Sequence, residues 1–86
     1  MWYVYIIRCK DGKLYTGLTE NLERRFKEHQ QNGSHFTSYN PAVEILFQEP
    51  FQNKHQAALR EKQIKGWTRR KKLALAKGNL KLLKAL

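Results

Sequence analysis

The sequence predicts an α+β domain: a three-stranded antiparallel sheet flanked by helices, in the order ββαβαα. Three observations carry this. Residues 2–9 are β-branched and aromatic almost throughout, as in a strand buried on both faces. A turn signal, Lys10-Asp11-Gly12, follows at once and folds the chain back. Two stretches of helical periodicity then stand on either side of a third short apolar run.

The elements follow in order. Residues 13–17 form the returning strand. Thr19 or Asn21 caps a first helix running to about Gln31, with Gly33 as its stop. Residues 30–41 are a polar loop. Residues 43–47 form the third strand, closed by Pro50. Asn53 caps a second helix that ends near Gly66. Residues 68–77 continue as helix, and 79–86 form a last short one. A sheet covered by helices is the economical way to bury these faces.

Eighty-six residues suit one domain, 1–86, with a small core, and 41% hydrophobic content with ten aromatics is enough for it. The opening MWYVYIIRC lacks a preceding positive region, so a strand fits better than a signal peptide. One cysteine, Cys9, excludes an internal disulfide and a cysteine-rich zinc site, and a reducing cytoplasm is the default compartment. No apolar run has membrane-spanning length.

Charge is distributed unevenly. Residues 53–86 carry eleven Lys and Arg and one acid, Glu61, whereas residues 1–52 carry six of each sign. The whole net charge of +10 therefore lies in the second part. A pI near 10.1 points to an anionic polymer, with nucleic acid, DNA or RNA, ahead of membrane. Lys62, Lys65, Arg69, Arg70, Lys71 and Lys72 are the expected phosphate contacts.

Glu61 interrupts an apolar helix line of Ala57, Ala58, Ile64 and Trp67. A carboxylate there packs poorly, yet it can hold a cation that touches phosphate. On the first helix Leu22, Phe26 and His29 share a stripe that includes Arg25, while Arg24 and Lys27 fall away from it. The hairpin loop decides the faces of the tyrosines. A two-residue turn would part Tyr5 from Tyr15. A three-residue loop with left-handed Gly12 pairs Cys9 with Lys13, so Ile7 meets Tyr15 and Tyr5 meets Gly17. That register gathers Tyr3, Tyr5, Ile7, Tyr15 and Gly17 on one face and leaves open space beside Tyr5.

Each of these residues also has an ordinary role. Arg25 can extend its stem over the core edge, His29 can favour a helix C-terminus, and Glu61 can pair with Lys65. Together, two phenols, a guanidinium, an imidazole and one carboxylate suit phosphodiester hydrolysis. The carboxylate would hold one divalent ion, the Arg would take phosphate oxygens, and a tyrosine would accept the proton of an attacking water. Paired-carboxylate sites, glycine-rich phosphate loops and metal-spaced histidine pairs are absent from the sequence. Glu20, Glu23 and Glu28 read as solvent-facing, which leaves Glu61 alone in the expected cleft.

At these residues the chain resembles the GIY-YIG nuclease superfamily. Tyr3-Val4-Tyr5 is similar to its first motif, with Tyr3 in place of Gly, and Tyr15-Thr16-Gly17 to its second. Arg25, His29 and Glu61 match the family's Arg, His and metal-binding Glu. The steps from Tyr5 to Tyr15 to Arg25 resemble those of the GIY-YIG domain of the bacterial excision-repair endonuclease. Residues 60–67 resemble the small stand-alone bacterial branch. Residues 33–39 are similar to that branch's basic loop, with most of its Lys and Arg gone. Asn79 matches the family's late Asn, and with Gly17 would support the site.

The resemblance implies a DNA endonuclease using one Mg²⁺ or Mn²⁺, with Tyr5, Tyr15, Arg25, His29 and Glu61 catalytic. It leaves either tyrosine as base; we assign Tyr15 to the water and Tyr5 to the phosphate. It also implies work in DNA repair or recombination, with a protein partner for targeting. The alternative is a non-catalytic module that keeps the fold and grips nucleic acid.

Overall fold

A computed structural model describes residues 1–30 and 41–78. The expected last helix, Asn79 and the loop at 33–39 lie outside the described residues. The elements are β1 (Trp2–Cys9), β2 (Leu14–Thr19), α1 (Leu22–Gln30), β3 (Ala42–Phe51), α2 (Lys54–Lys65) and α3 (Arg69–Ala76). The sheet order is β2-β1-β3, antiparallel throughout. The expected ββαβαα order is found, and β1 is central, which explains why its apolar residues do not alternate with polar ones.

The hairpin takes the three-residue loop. Gly12 has φ +91°. Its N–H donates to the Cys9 carbonyl at 2.8 Å, and the Cys9 N–H donates to the Lys13 carbonyl at 2.9 Å. The Lys13 N–H bonds Asp11 Oδ1 at 2.9 Å, an Asx turn that tightens the loop. Tyr5 accordingly pairs with Gly17 and Ile7 with Tyr15.

The third strand is longer than expected. Pro50 does not close it but lies inside it, opposite Tyr3. An edge strand tolerates a missing N–H when that side faces away from the ladder, and β3 is an edge. Its register slips between Ile6 and Ile7 and again between Arg8 and Cys9. The first slip lets both Leu46 and Phe47 pack on the Val4–Ile6 face while Ile45 packs with Ile7.

The helices divide between the two faces. Leu22 and Phe26 of α1 pack with Tyr5 and Ile7. Ala57 and Ile64 of α2 pack with Val4 and Ile6, and Trp67 and Leu75 join them there. Asn21 caps α1, its Oδ1 accepting the Arg24 N–H at 3.0 Å. Asn53 caps α2 through the N–H groups of His55 and Gln56. Thr68 caps α3 through that of Lys71. Among the described residues no helix is long and apolar enough to cross a membrane.

Candidate active site

The candidate site begins at the β1–β2 pair. Tyr5 is 1% exposed although it carries a phenol. Its ring lies over Gly17, in space that a β-carbon at 17 would fill. Tyr15 projects from the same face, its ring centroid 6.3 Å from that of Tyr5. His29, fully buried on α1, closes the group with its ring 4.8 Å from Tyr15 and 6.2 Å from Tyr5. Its Nε2 stands 3.3 Å from the Tyr5 hydroxyl.

Arg25 joins these groups. It is half-buried one turn before His29, and its charge and that of the tyrosines influence one another, Tyr5 most strongly. That interaction holds the Arg25 pKa above its ordinary value, against the opposing effect of burial. Which of the two atoms donates in the Tyr5–His29 contact depends on the imidazole tautomer. Burial raises the Tyr5 pKa, partly opposed by Arg25. Burial, then Arg25, lowers that of His29. Both groups are thus neutral at pH 7.

Glu61 is carried by α2, which packs on the Val4–Ile6 face through Ala57 and Ile64. That face also holds the buried hydroxyl of Thr16, which pairs with Ile6. Arg60 reaches β3 from one flank of the Ala57–Ile64 line, its Nε 3.0 Å from Glu49 Oε1, and Glu61 stands on the other flank. Its negative charge still acts on Tyr5, raising the phenol's pKa. Its carboxylate is 21% exposed, 3.6 Å from Lys65 Nζ.

Glu28 keeps 38% of its side chain exposed, as expected of a solvent-facing acid, and is also paired with two arginines. Its Oε2 accepts from Arg25 NH1 at 3.0 Å, and its Oε1 lies 3.5 Å from Arg24 Nε. These three residues line an open recess of about 650 Å³ with Trp2, Leu18, Thr19, Glu20 and Asn21. The signal was in the spacing, since Glu28 follows Arg25 and Arg24 by three and four residues. Of the five expected catalytic residues, only Arg25 lines this recess; Tyr5, Tyr15 and His29 lie behind it.

The donor set for a metal is sparse. Among the described residues no group of three or more His, Cys, Asp or Glu could enclose an ion. A lone carboxylate fits a hard cation that keeps waters and takes its other oxygens from phosphate. Of the expected phosphate contacts, Lys62, Lys65 and Arg70 are exposed. Arg69 donates to the Gly12 carbonyl and so ties α3 to the hairpin. Lys71 Nζ sits 4.4 Å from the Trp67 ring centroid. Burial, then Lys65, lowers the pKa of Lys72.

Residues 1–74 match the profile of the GIY-YIG catalytic domain. The chain is 47% identical over 76 residues to a UPF0213 protein of Clostridium perfringens, covering 87% of this chain and 82% of that one. It is 42% identical over 74 residues to a UPF0213 protein of Staphylococcus saprophyticus, covering 85% and 90%. The solution NMR structure of a UPF0213 protein from Bacillus halodurans superposes with a TM-score of 0.57 at 35% identity, over 90% of this chain and 84% of that one.

Proposed function

The chain belongs to the GIY-YIG family, a family of nucleases, and on that footing we propose that it is a metal-dependent DNA endonuclease. The observation that carries the reading is the cluster of Tyr5, Tyr15 and buried His29, with ring centroids 4.8 to 6.3 Å apart, on the face that α1 covers with Arg25 one turn before His29. Two phenols and an imidazole gathered beside a guanidinium suit a phosphate clamp flanked by proton-carrying groups.

The roles follow from the environments. Arg25 donates to non-bridging phosphate oxygens and offsets the charge that builds up in the transition state. Tyr5, kept protonated by burial, holds a phosphate oxygen by hydrogen bond and is a poor proton acceptor. Tyr15, less buried than Tyr5, is the general base that takes the proton of the attacking water. The water oxygen bonds to phosphorus, one P–O ester bond breaks, and solvent protonates the leaving oxygen. Neutral His29 anchors Tyr5. Glu61 would hold the Mg²⁺ or Mn²⁺, whose chemistry is neutralisation of charge on the phosphate and leaving oxygens.

The basic α2–α3 surface would grip the DNA backbone on either side. The second reading, a module that binds nucleic acid without cutting it, is favoured by the Glu61–Lys65 pair, which occupies the carboxylate. The deciding experiment is cleavage of branched, nicked and single-stranded DNA with Mg²⁺ or Mn²⁺, using Glu61→Gln as control. Metal-dependent products that vanish in the variant support the nuclease. Tight binding without products from any substrate favours the module.

A further inference from the structure

Glu28 pairs with two arginines one turn before it on α1. Its two oxygens are divided between two guanidinium groups, Arg25 at 3.0 Å and Arg24 at 3.5 Å. An oxyanion placed between two arginine heads is the geometry that a phosphate group takes in an arginine fork. All three residues line the open recess at the start of α1.

We propose that this recess is a phosphate seat formed by Arg24 together with Arg25, and that Glu28 is its built-in competitor, occupying the seat until a substrate phosphate displaces it. The inference rests on Arg25 being the phosphate ligand of the proposed nuclease. It adds Arg24, which the sequence reading turned away from the site, and it assigns Glu28 a gating role. The exposure of the three side chains fits displacement: Arg25 is 30% exposed, Glu28 38% and Arg24 67%. Glu28 can swing into solvent without emptying the core, whereas Tyr5 and His29 cannot. A weak phosphate contact elsewhere on the chain would not dislodge it. A DNA backbone already held by α2 and α3 would present its phosphate at high local concentration.

The test measures DNA binding, not cleavage, in a Glu61→Gln background that leaves substrate intact. Short duplex DNA is titrated at several salt concentrations against the Glu61→Gln protein and the same protein carrying Glu28→Gln. Glu23→Gln serves as the control, because Glu23 is 82% exposed, pairs with Lys27 and lies outside the recess. It removes an equal charge from the same helix.

Opening the seat should tighten binding about threefold beyond the Glu23→Gln control. The dependence of log affinity on log salt should stay parallel to that of the parent, because the same phosphate is neutralised in both complexes. Adding Arg24→Ala to Glu28→Gln should cancel the gain and flatten the slope by about 0.9. Glu28→Gln behaving like Glu23→Gln, or a gain that survives Arg24→Ala, overturns the gate while leaving the nuclease reading intact. If no variant binds DNA, the gate and the proposed function fall together. Thermal unfolding of each variant separates loss of fold from loss of the seat.

Discussion

The Tyr5 phenol occupies the volume that any side chain at Gly17 would need. Directly opposite in the β1–β2 ladder, the two residues form one unit: the glycine creates a slot and the tyrosine fills it. The slot brings the hydroxyl to the β2 edge, where His29 stands 3.3 Å away and the charge of Glu61 is felt from the other side. Gly17→Ala should therefore expel the ring from its slot. Overpacking of this kind costs about 1–3 kcal/mol, measurable by urea unfolding. Cleavage should fall far more than stability, because Arg25 and His29 lose their shared partner. An alanine variant that cleaves normally would show that Tyr5 needs no fixed position.

Glu61→Gln should abolish cleavage and leave DNA binding equal or slightly stronger, since it removes a negative charge from a cationic surface. Lys65→Met tests the competing explanation. If Glu61 served only to hold Lys65, 3.6 Å away, the two variants would have the same effect on cleavage. We expect Lys65→Met to weaken binding and keep the chemistry.

His29 should titrate below the ordinary 6.5, seen by NMR of its ring protons. The sign for stability follows. Protonation is easier in the unfolded chain, so the contribution of neutral His29 is complete above about 6.5. It is lost progressively as pH falls from there towards the lowered folded value. Tyr5 imposes the opposite limit. Its pKa is raised from 10.0, so its contribution is complete below about 10 and is lost as pH rises towards the raised folded value. A His29 that titrates at or above 6.5 would contradict its burial.

Lys62, Lys65 and Arg70 should behave as independent phosphate contacts. Neutralising about five phosphates in all gives a slope of log affinity against log salt of roughly −4 to −5, and each alanine should remove about 0.9 of it. Arg69→Ala should differ, lowering thermal stability as well, because its guanidinium also holds the hairpin at the Gly12 carbonyl. Binding that does not change between low and physiological salt would rule out the basic surface as the grip.

Local chemistry was legible in the sequence wherever neighbours along the chain decide the outcome. Lys10-Asp11-Gly12 carries its own loop geometry, and through it the pairing of Tyr5 with Gly17, since one glycine at positive φ settles the register of the whole hairpin. Asn53 announces its helix because a cap bonds N–H groups two or three residues away, whereas Thr68, read as helix, turns out to cap α3. Arg25 and His29 share the inward stripe of α1 by helical spacing alone. Glu28 was legible by the same spacing, although pairs at i−3 and i−4 are so common on helix surfaces that its place in a recess could not be read from them.

Only the tertiary structure decided which face of the sheet each helix covers. β1 is apolar on both sides, so its sequence offers α1 and α2 equal welcome. The choice depends on how the connections cross the sheet and on which apolar line best fills each face. That choice puts α2, and Glu61 with it, on the Val4–Ile6 face. Sheet order likewise decided the role of Pro50, which reads as a stop in an interior strand and is accommodated in β3 because β1 takes the centre. Contacts between residues far apart in the chain, such as Arg69 with Gly12 or Arg60 with Glu49, arise from that arrangement, and no local pattern encodes them.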